Sequence, residues 1–327
     1  MSDVRHFDAG QGRPGCGRAP LVDAITMFLA REHASRIDEI RACLEQTLDE
    51  AGPDAFETLG DHLARAGSDW DYYPRDPLAR RIHHALADPV LQRPPQVVGL
   101  EHLDMIEGQP VVMFANHLSY SDANVLDVLL QRAGATALTD RLTVIAGPKV
   151  YSSVRRRFSS LCFGTIKVPQ STTRSSDEAV MSARDVALAA RRALQVARDR
   201  LRLGEALLVF AEGNRSRSAQ LQPLLPGVAR YLDSPHTWVL PIGIVGTERL
   251  FPVGDDSLYS DGLISLTIGR PVLTGTLREG ARRDRRVIMD SIGFAIADLL
   301  PESYRGAYSV VSPELANAHA LFSHTWH

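Results

Sequence analysis

Two residues five positions apart carry the clearest chemistry in this sequence: His117 and Asp122, within Asn116-His117-Leu118-Ser119-Tyr120-Ser121-Asp122. An aspartate that reaches back to an imidazole accepts a hydrogen bond from one ring nitrogen and fixes the tautomer. The other nitrogen is then left as a base in the pH range where histidine ordinarily titrates. Such a pair can take the proton from a hydroxyl or from water. The same spacing has plainer explanations. The helix dipole alone favours an aspartate in a first helical turn, and a loop histidine is often only solvated.

Two further segments could bind anions. Phe210-Ala211-Glu212-Gly213-Asn214-Arg215-Ser216-Arg217-Ser218 places a glycine, two arginines and two serines in one loop. Arginine binds phosphate bidentately and glycine lets backbone N–H groups approach, although a charged surface turn would read the same way. Glu212 fits an anion cradle only if it pairs with an arginine and orients it. The densest positive charge lies in Gly147-Pro148-Lys149, Arg155-Arg156-Arg157 and Gly164-Thr165-Ile166-Lys167, with Phe158, Leu161 and Phe163 interleaved. That mixture suits an anionic headgroup, a phosphopantetheine donor or a membrane surface, and equally a solvated basic helix face.

The elements that must position these residues are legible from periodicity. Apolar residues recur at helical spacing over Leu21–Leu29 and Ile37–Leu48, and helical patterns resume near Asp54–Ala66 and Asp76–Leu86 after Gly52-Pro53. From Gln96 the character changes to short apolar runs: Val97–Leu100, Val111–Ala115, Leu142–Ala146, Phe163–Val168, Ala206–Ala211, Trp238–Val245 and Leu263–Ile268. Helices are expected over Ser121–Arg132, from a capping box at Ser175-Ser176-Asp177-Glu178 to Leu203, and over Arg282–Leu299. Pro241 places its strand near an edge or bulge. Short buried strands alternating with helices predict an α/β fold: a mixed, mostly parallel sheet covered by helices, preceded by an N-terminal helical region. His117 would then sit at the carboxyl end of a strand, where open α/β sheets bind ligands. The expected division is a flexible tail over 1–19, the helical region over 20–95, the α/β domain over 96–308 and a C-terminal extension over 309–327.

Composition bounds the rest. Hydrophobic residues are 44% and charged residues 23%, as in ordinary globular proteins, and a net charge of -3 with no recognised motif speaks against nucleic acid. Only Lys149 and Lys167 among the 36 basic residues are lysine, and both fall in the central basic segment. Cys16, Cys43 and Cys162 form no CxxC pattern, which argues against a zinc site and for a reducing compartment. No apolar run approaches the roughly 18–20 residues of a spanning helix and no targeting signal is visible. A cytoplasmic place is expected, with any membrane contact peripheral and on the inner face.

Together and in this order, these segments resemble the glycerolipid (phospholipid/glycerol) acyltransferases, which acylate glycerol 3-phosphate or its 1-acyl derivative. Asn116-His117-x4-Asp122 is similar to that family's NHxxxxD block, FAEGNRS over 210–216 to its FPEGTRS block, and Val239-Leu240-Pro241-Ile242 to its V-P-[IV] block. Gly164–Val168 and Val98–Leu103 resemble two of its strands. The chain departs from the pattern at Ala211 and Asn214, after Lys167, where no Asp-Arg pair follows and Arg174 is the nearest arginine, and before Gly227, which lacks a preceding lysine. The resemblance implies acyl transfer from acyl-CoA or acyl-carrier protein to an acceptor hydroxyl, with His117 as base, Asp122 as its partner, and no metal or permanently bound cofactor. Arg215 would hold the acceptor phosphate, supported by Lys167, Arg174 and Arg217, while Asn116, Glu212, Gly213 and Asn214 would complete the substrate-binding set. Two other readings remain: an esterase or thioesterase activating Ser119, Ser121 or water, for which no G-x-S-x-G turn is present, and a non-catalytic lipid-binding protein.

Overall fold

The computed structural model describes residues 17–31, 34–91, 94–169, 181–234, 236–252, 259 and 262–326. The chain begins with helices α1 (Arg18–Leu29), α2 (Ile37–Ala51) and α3 (Pro53–Arg65), then strand β1 (Tyr72–Tyr73) and helices α4 (Pro77–Ala85) and α5 (Ala87–Val90). It continues through β2 (Gln96–Val98), β3 (Val111–Ala115), α6 (Asp122–Arg132), α7 (Thr136–Thr139), β4 (Leu142–Ala146), α8 (Val154–Ser160), β5 (Gly164–Lys167), α9 (Ala183–Arg202) and β6 (Ala206–Val209). It ends with β7 (Trp238–Val245), α10 (Thr247–Leu250), β8 (Ser265–Ile268), β9 (Val272–Leu273), α11 (Thr274–Gly280), α12 (Arg285–Asp298) and α13 (Ala316–Thr325).

Among the described residues the strands form one sheet of order β1-β5-β4-β6-β3-β7-β8-β2, with β9 beside β7. The five central strands, β5, β4, β6, β3 and β7, run parallel. This explains their sequence. A parallel strand is covered on both faces and reads as an unbroken apolar run, and every residue of Val111–Ala115 is buried. One face packs Met113, Ala115 and Ile242 with Leu126 of α6 and with Ile25, Ile40, Leu44, Leu59 and Ile82 of the N-terminal helices. The other packs Val112, Phe114 and Val239 against α9, α12 and α13.

Three features go beyond the sequence-based expectation. Tyr72–Tyr73 is a strand inside a stretch with helical periodicity, antiparallel to β5; two residues are too few to show alternation. Pro241 lies away from the edge and, of the two expected places, at the bulge-like one, where residues 240–241 face 269–271. It pairs with Phe114 of β3 on one side, and on the other sits where the partner changes from β9 at Val239 to β8 at Ile242. No ladder donor is needed there, and its carbonyl accepts the Gly269 N–H at 2.9 Å. Residues 316–325, in the expected C-terminal extension, form a helix in the second core. The expected capping box at 175–178 lies outside the described residues; within them α9 is capped by Ser182, whose hydroxyl accepts the Asp185 N–H.

α6 carries Asp122 in its first turn, and a buried polar cluster fixes it to α4. Asp127, fully buried, takes Arg80 Nη1 at 3.0 Å and lies 2.9 Å from His84 Nε2. Arg80 also donates to the Thr139 carbonyl and to Gln131. Breaking a buried pair from one side leaves an uncompensated charge. Arg80→Ala is therefore expected to lower the unfolding free energy by about 3 kcal/mol in urea titration. A loss below about 1 kcal/mol, the level of an exposed pair, would contradict this role.

Candidate active site

The strand β3 ends one residue before the site. Asn116 extends it through its side chain: the amide donates to the Ile244 carbonyl at 2.8 Å and its oxygen accepts the Ile244 N–H at 2.8 Å. This locks the turn to β7 and leaves Asn116 only 1% exposed. The turn then folds around Asp122. Its carboxylate accepts the Leu118 N–H at 2.7 Å, the Ser119 N–H at 3.0 Å and the Thr247 hydroxyl at 2.7 Å, and lies 2.8 Å from His117 Nδ1. An acceptor so placed makes Nδ1 the protonated nitrogen and turns Nε2 toward the cavity that His117 lines. Phe210 stacks on the imidazole with ring centroids 4.3 Å apart. Ser119 is wholly buried, and its hydroxyl oxygen accepts the Ser121 N–H.

The second loop, after β6, is tied to the first by Glu212. One carboxylate oxygen accepts the His117 N–H at 2.6 Å and the other the Gln222 N–H at 2.8 Å. Burial pushes this carboxyl up to about 7, with the two backbone donors pulling it back down and Asp122 adding to the rise. The Ser216 N–H closes the junction by donating to the His117 carbonyl at 2.8 Å. The turn needs Gly213, whose φ of 75° is one that side chains rarely adopt. Behind it, the loop hangs on the C-terminal segment: the Tyr308 hydroxyl accepts the Leu224 N–H at 3.0 Å and donates to Asp290. Tyr308 also packs so closely on Gly293 that a Cβ there would lie 2.2 Å from its ring.

The fold brings His117, Gly213, Asn214, Arg215 and Arg217 to a single cavity of about 1220 Å³. Asn116 and Glu212 are buried and do not line it; they hold the turn and the loop that do. Lys167 points elsewhere, donating to the Gly67 carbonyl at 2.6 Å and resting over Trp70. Arg174 lies outside the described residues. Arg215 stacks on Tyr120, its guanidinium carbon 3.4 Å from the ring centroid. Burial pulls its pKa down, Tyr120 opposes, and Arg156 adds to the fall. Thr247, Tyr120, Phe210 and Arg156 join the site without having been singled out for it by sequence. Their local signals were membership of the two motif segments for Tyr120 and Phe210, a buried strand preceding Thr247 and a basic run around Arg156. Away from its polar mouth the cavity is apolar, walled by Val144, Ala146, Phe163, Ala190, Ala193 and Val209. Among the described residues no group of three or more His, Cys, Asp or Glu could hold a metal.

Residues 95–245 match the family model described as Acyltransferase. Among solved structures, the crystal structure of the 1-acyl-sn-glycerophosphate acyltransferase PlsC from Thermotoga maritima is similar at 18% sequence identity and a TM-score of 0.44, over 86% of this chain and 98% of that one. No curated protein matches significantly.

The raised Glu212 pKa has a consequence for stability. The native state holds this proton more tightly than the unfolded chain, so stability falls as pH rises between about 4.5 and 7. Glu212→Gln cannot titrate, and its amide N–H₂ would face one of the two backbone donors. The variant is expected to lose that pH dependence and to be less stable than wild type at acid pH by about 1–3 kcal/mol, measured by denaturant unfolding across the range. An identical pH slope in both proteins would contradict the assignment.

Proposed function

We propose that this chain, whose residues 95–245 match the acyltransferase family model, moves a fatty acyl group from an acyl thioester, acyl-CoA or acyl-carrier protein, to a hydroxyl of glycerol 3-phosphate, 1-acylglycerol 3-phosphate or a related acceptor. The observation that carries this is the 2.8 Å contact between His117 Nδ1 and a fully buried Asp122, beside a cavity with an apolar arm and a cationic mouth. His117 Nε2 takes the acceptor hydroxyl proton as that oxygen attacks the thioester carbonyl. The tetrahedral species collapses with cleavage of the C–S bond, and the imidazolium returns the proton to the departing thiolate. The products are an ester and a free thiol, and no acyl group is carried on the protein. The buried position of Ser119 favours direct transfer over a serine nucleophile at that residue.

The apolar arm takes the acyl chain and the mouth takes the acceptor's charge, with Arg215 as first contact and Arg217 in support. A lipid-tailed acceptor is presented at a membrane surface, and the basic segment around Arg156 borders the site on that account. No described helix is long and apolar enough to cross a membrane, and we place the protein peripherally, on the inner face.

Two outcomes test the reading. Positioned general bases contribute about 10²–10⁴-fold, so His117→Ala is expected to lose that much of kcat in product formation followed by mass spectrometry, with an unchanged unfolding midpoint. Retention of most activity would sink the mechanism. Ala190 of α9 faces the apolar arm. Ala190→Phe is expected to lower kcat/KM for palmitoyl-CoA at least tenfold relative to octanoyl-CoA, since each buried methylene is worth about 0.8 kcal/mol. Equal effects on both donors would place the acyl chain elsewhere.

A further inference from the structure

Arg156 of α8 has no part in the reaction just described, yet its placement is unusual. Its guanidinium carbon lies 4.5 Å from the centroid of the same Tyr120 ring on which Arg215 rests at 3.4 Å. Neither arginine has an ion pair with a carboxylate among the described residues. Among the described residues the Arg156 guanidinium donates to neutral acceptors, the Lys149 carbonyl at 3.2 Å and the Ser152 hydroxyl at 3.0 Å. Two cations gathered at one ring repel each other, and an anion between them would relieve it. The space for one is present. A small cavity of about 80 Å³ is bounded by Tyr120, Arg155, Arg156 and Arg215 with Phe28 and Phe251, and among the described residues no acidic one lines it. At roughly 30 Å³ per water, that is room for two or three waters or one tetrahedral anion, and far too little for an acyl chain. The stacked rings of Phe28 and Phe251, 5.3 Å apart, form one apolar side of it. Tyr120 and Arg215 also border the large cavity with His117, so an anion held here lies one ring away from the base.

We propose that this small cavity is the phosphate subsite for the acceptor, and that Arg156 completes a two-guanidinium clamp with Arg215 on the Tyr120 platform. The ligand is a phosphate monoester next to a free hydroxyl. Two planar forks grip its oxygens bidentately, where lysine would offer only point charges. Arg156 is thus a specificity-determining residue, setting the preference for phosphate-bearing over neutral acceptors. The role in turnover rests on the acyl-transfer reading; the binding of a phosphate monoester does not.

The test uses the full chain, wild type against Arg156→Gln and Arg156→Lys, with thermal unfolding to establish that each variant is folded. Acceptors are glycerol 3-phosphate, 1-acylglycerol 3-phosphate and the uncharged 1-acylglycerol, and calorimetric titration with glycerol 3-phosphate and with inorganic phosphate reads binding apart from turnover. Arg156→Gln is expected to raise KM and Kd for both phosphate-bearing acceptors about 10- to 100-fold, with kcat, the acyl-CoA KM and use of 1-acylglycerol little changed. Arg156→Lys is expected to fall between the two. The tighter of the two phosphate acceptors identifies whether the source is free or lipid-borne. Unchanged acceptor KM and Kd in Arg156→Gln would overturn the proposal, as would an effect confined to the acyl-CoA KM. Phosphate binding that depends on Arg156 in a protein with no acyl transfer would instead leave the subsite standing and remove the reaction.

Discussion

The buried carboxylate of Asp122 is the interaction on which the site depends. It is fully desolvated and surrounded by four donors: two backbone N–H groups of its own turn, the Thr247 hydroxyl and the His117 ring. A charge in such a place is tolerated only when its partners are present and well aimed. The requirement draws together the end of β3, the turn over 116–121, the first residue of α6 and the start of α10, which follows β7. His117 is thereby held as one member of a network and not as a free loop side chain. The imidazole has little choice of tautomer or orientation.

The neighbouring loop inherits its position from the same turn. Glu212 clamps the His117 N–H and the Gln222 N–H with its two oxygens, and Ser216 returns a bond to the His117 carbonyl. His117 and the loop that carries Arg215 are therefore tied to each other at the carboxyl edge of a parallel sheet, where open α/β sheets leave a crevice. Tyr120 belongs to the turn over 116–121 too, and the two guanidiniums of Arg156 and Arg215 stand on its ring. A short polar turn, a cluster of cations and an apolar space thus lie side by side: the turn in the middle, the cations at the mouth and the apolar lining behind.

Much of this was legible in the sequence because its cause is local. Val111–Ala115, Leu142–Ala146 and Trp238–Val245 were read with their observed bounds, since doubly covered parallel strands must be continuous apolar runs. His117 and Asp122 were legible because a five-residue turn brings them together without help from elsewhere. What was not legible depends on distant chain. Asn116 meets Ile244 across 128 residues, and its amide there acts as an extra rung of sheet. Lys167 turns toward Gly67 and Trp70, a helical region whose contact with β5 no local pattern announces. Thr247, Phe210 and Arg156 acquire their places only when β7, β6 and α8 are assembled around the turn. The proline of β7 left an edge and a bulge both open, and which one holds also depends on distant chain. A missing donor marks an edge only if a neighbour would have used it, and at Pro241 the neighbouring strand changes.

The central claim is that the His117–Asp122 pair drives acyl transfer to an acceptor held at the cationic mouth. It is tested most directly by following free thiol released from palmitoyl-CoA by the wild-type chain, with and without glycerol 3-phosphate or 1-acylglycerol 3-phosphate. The account expects thiol release only when an acceptor is present, in equal amount to the ester formed and without an initial acyl-enzyme burst. Release at the same rate without an acceptor would make the protein a hydrolase, and no release under any condition would leave the pair without a reaction to catalyse.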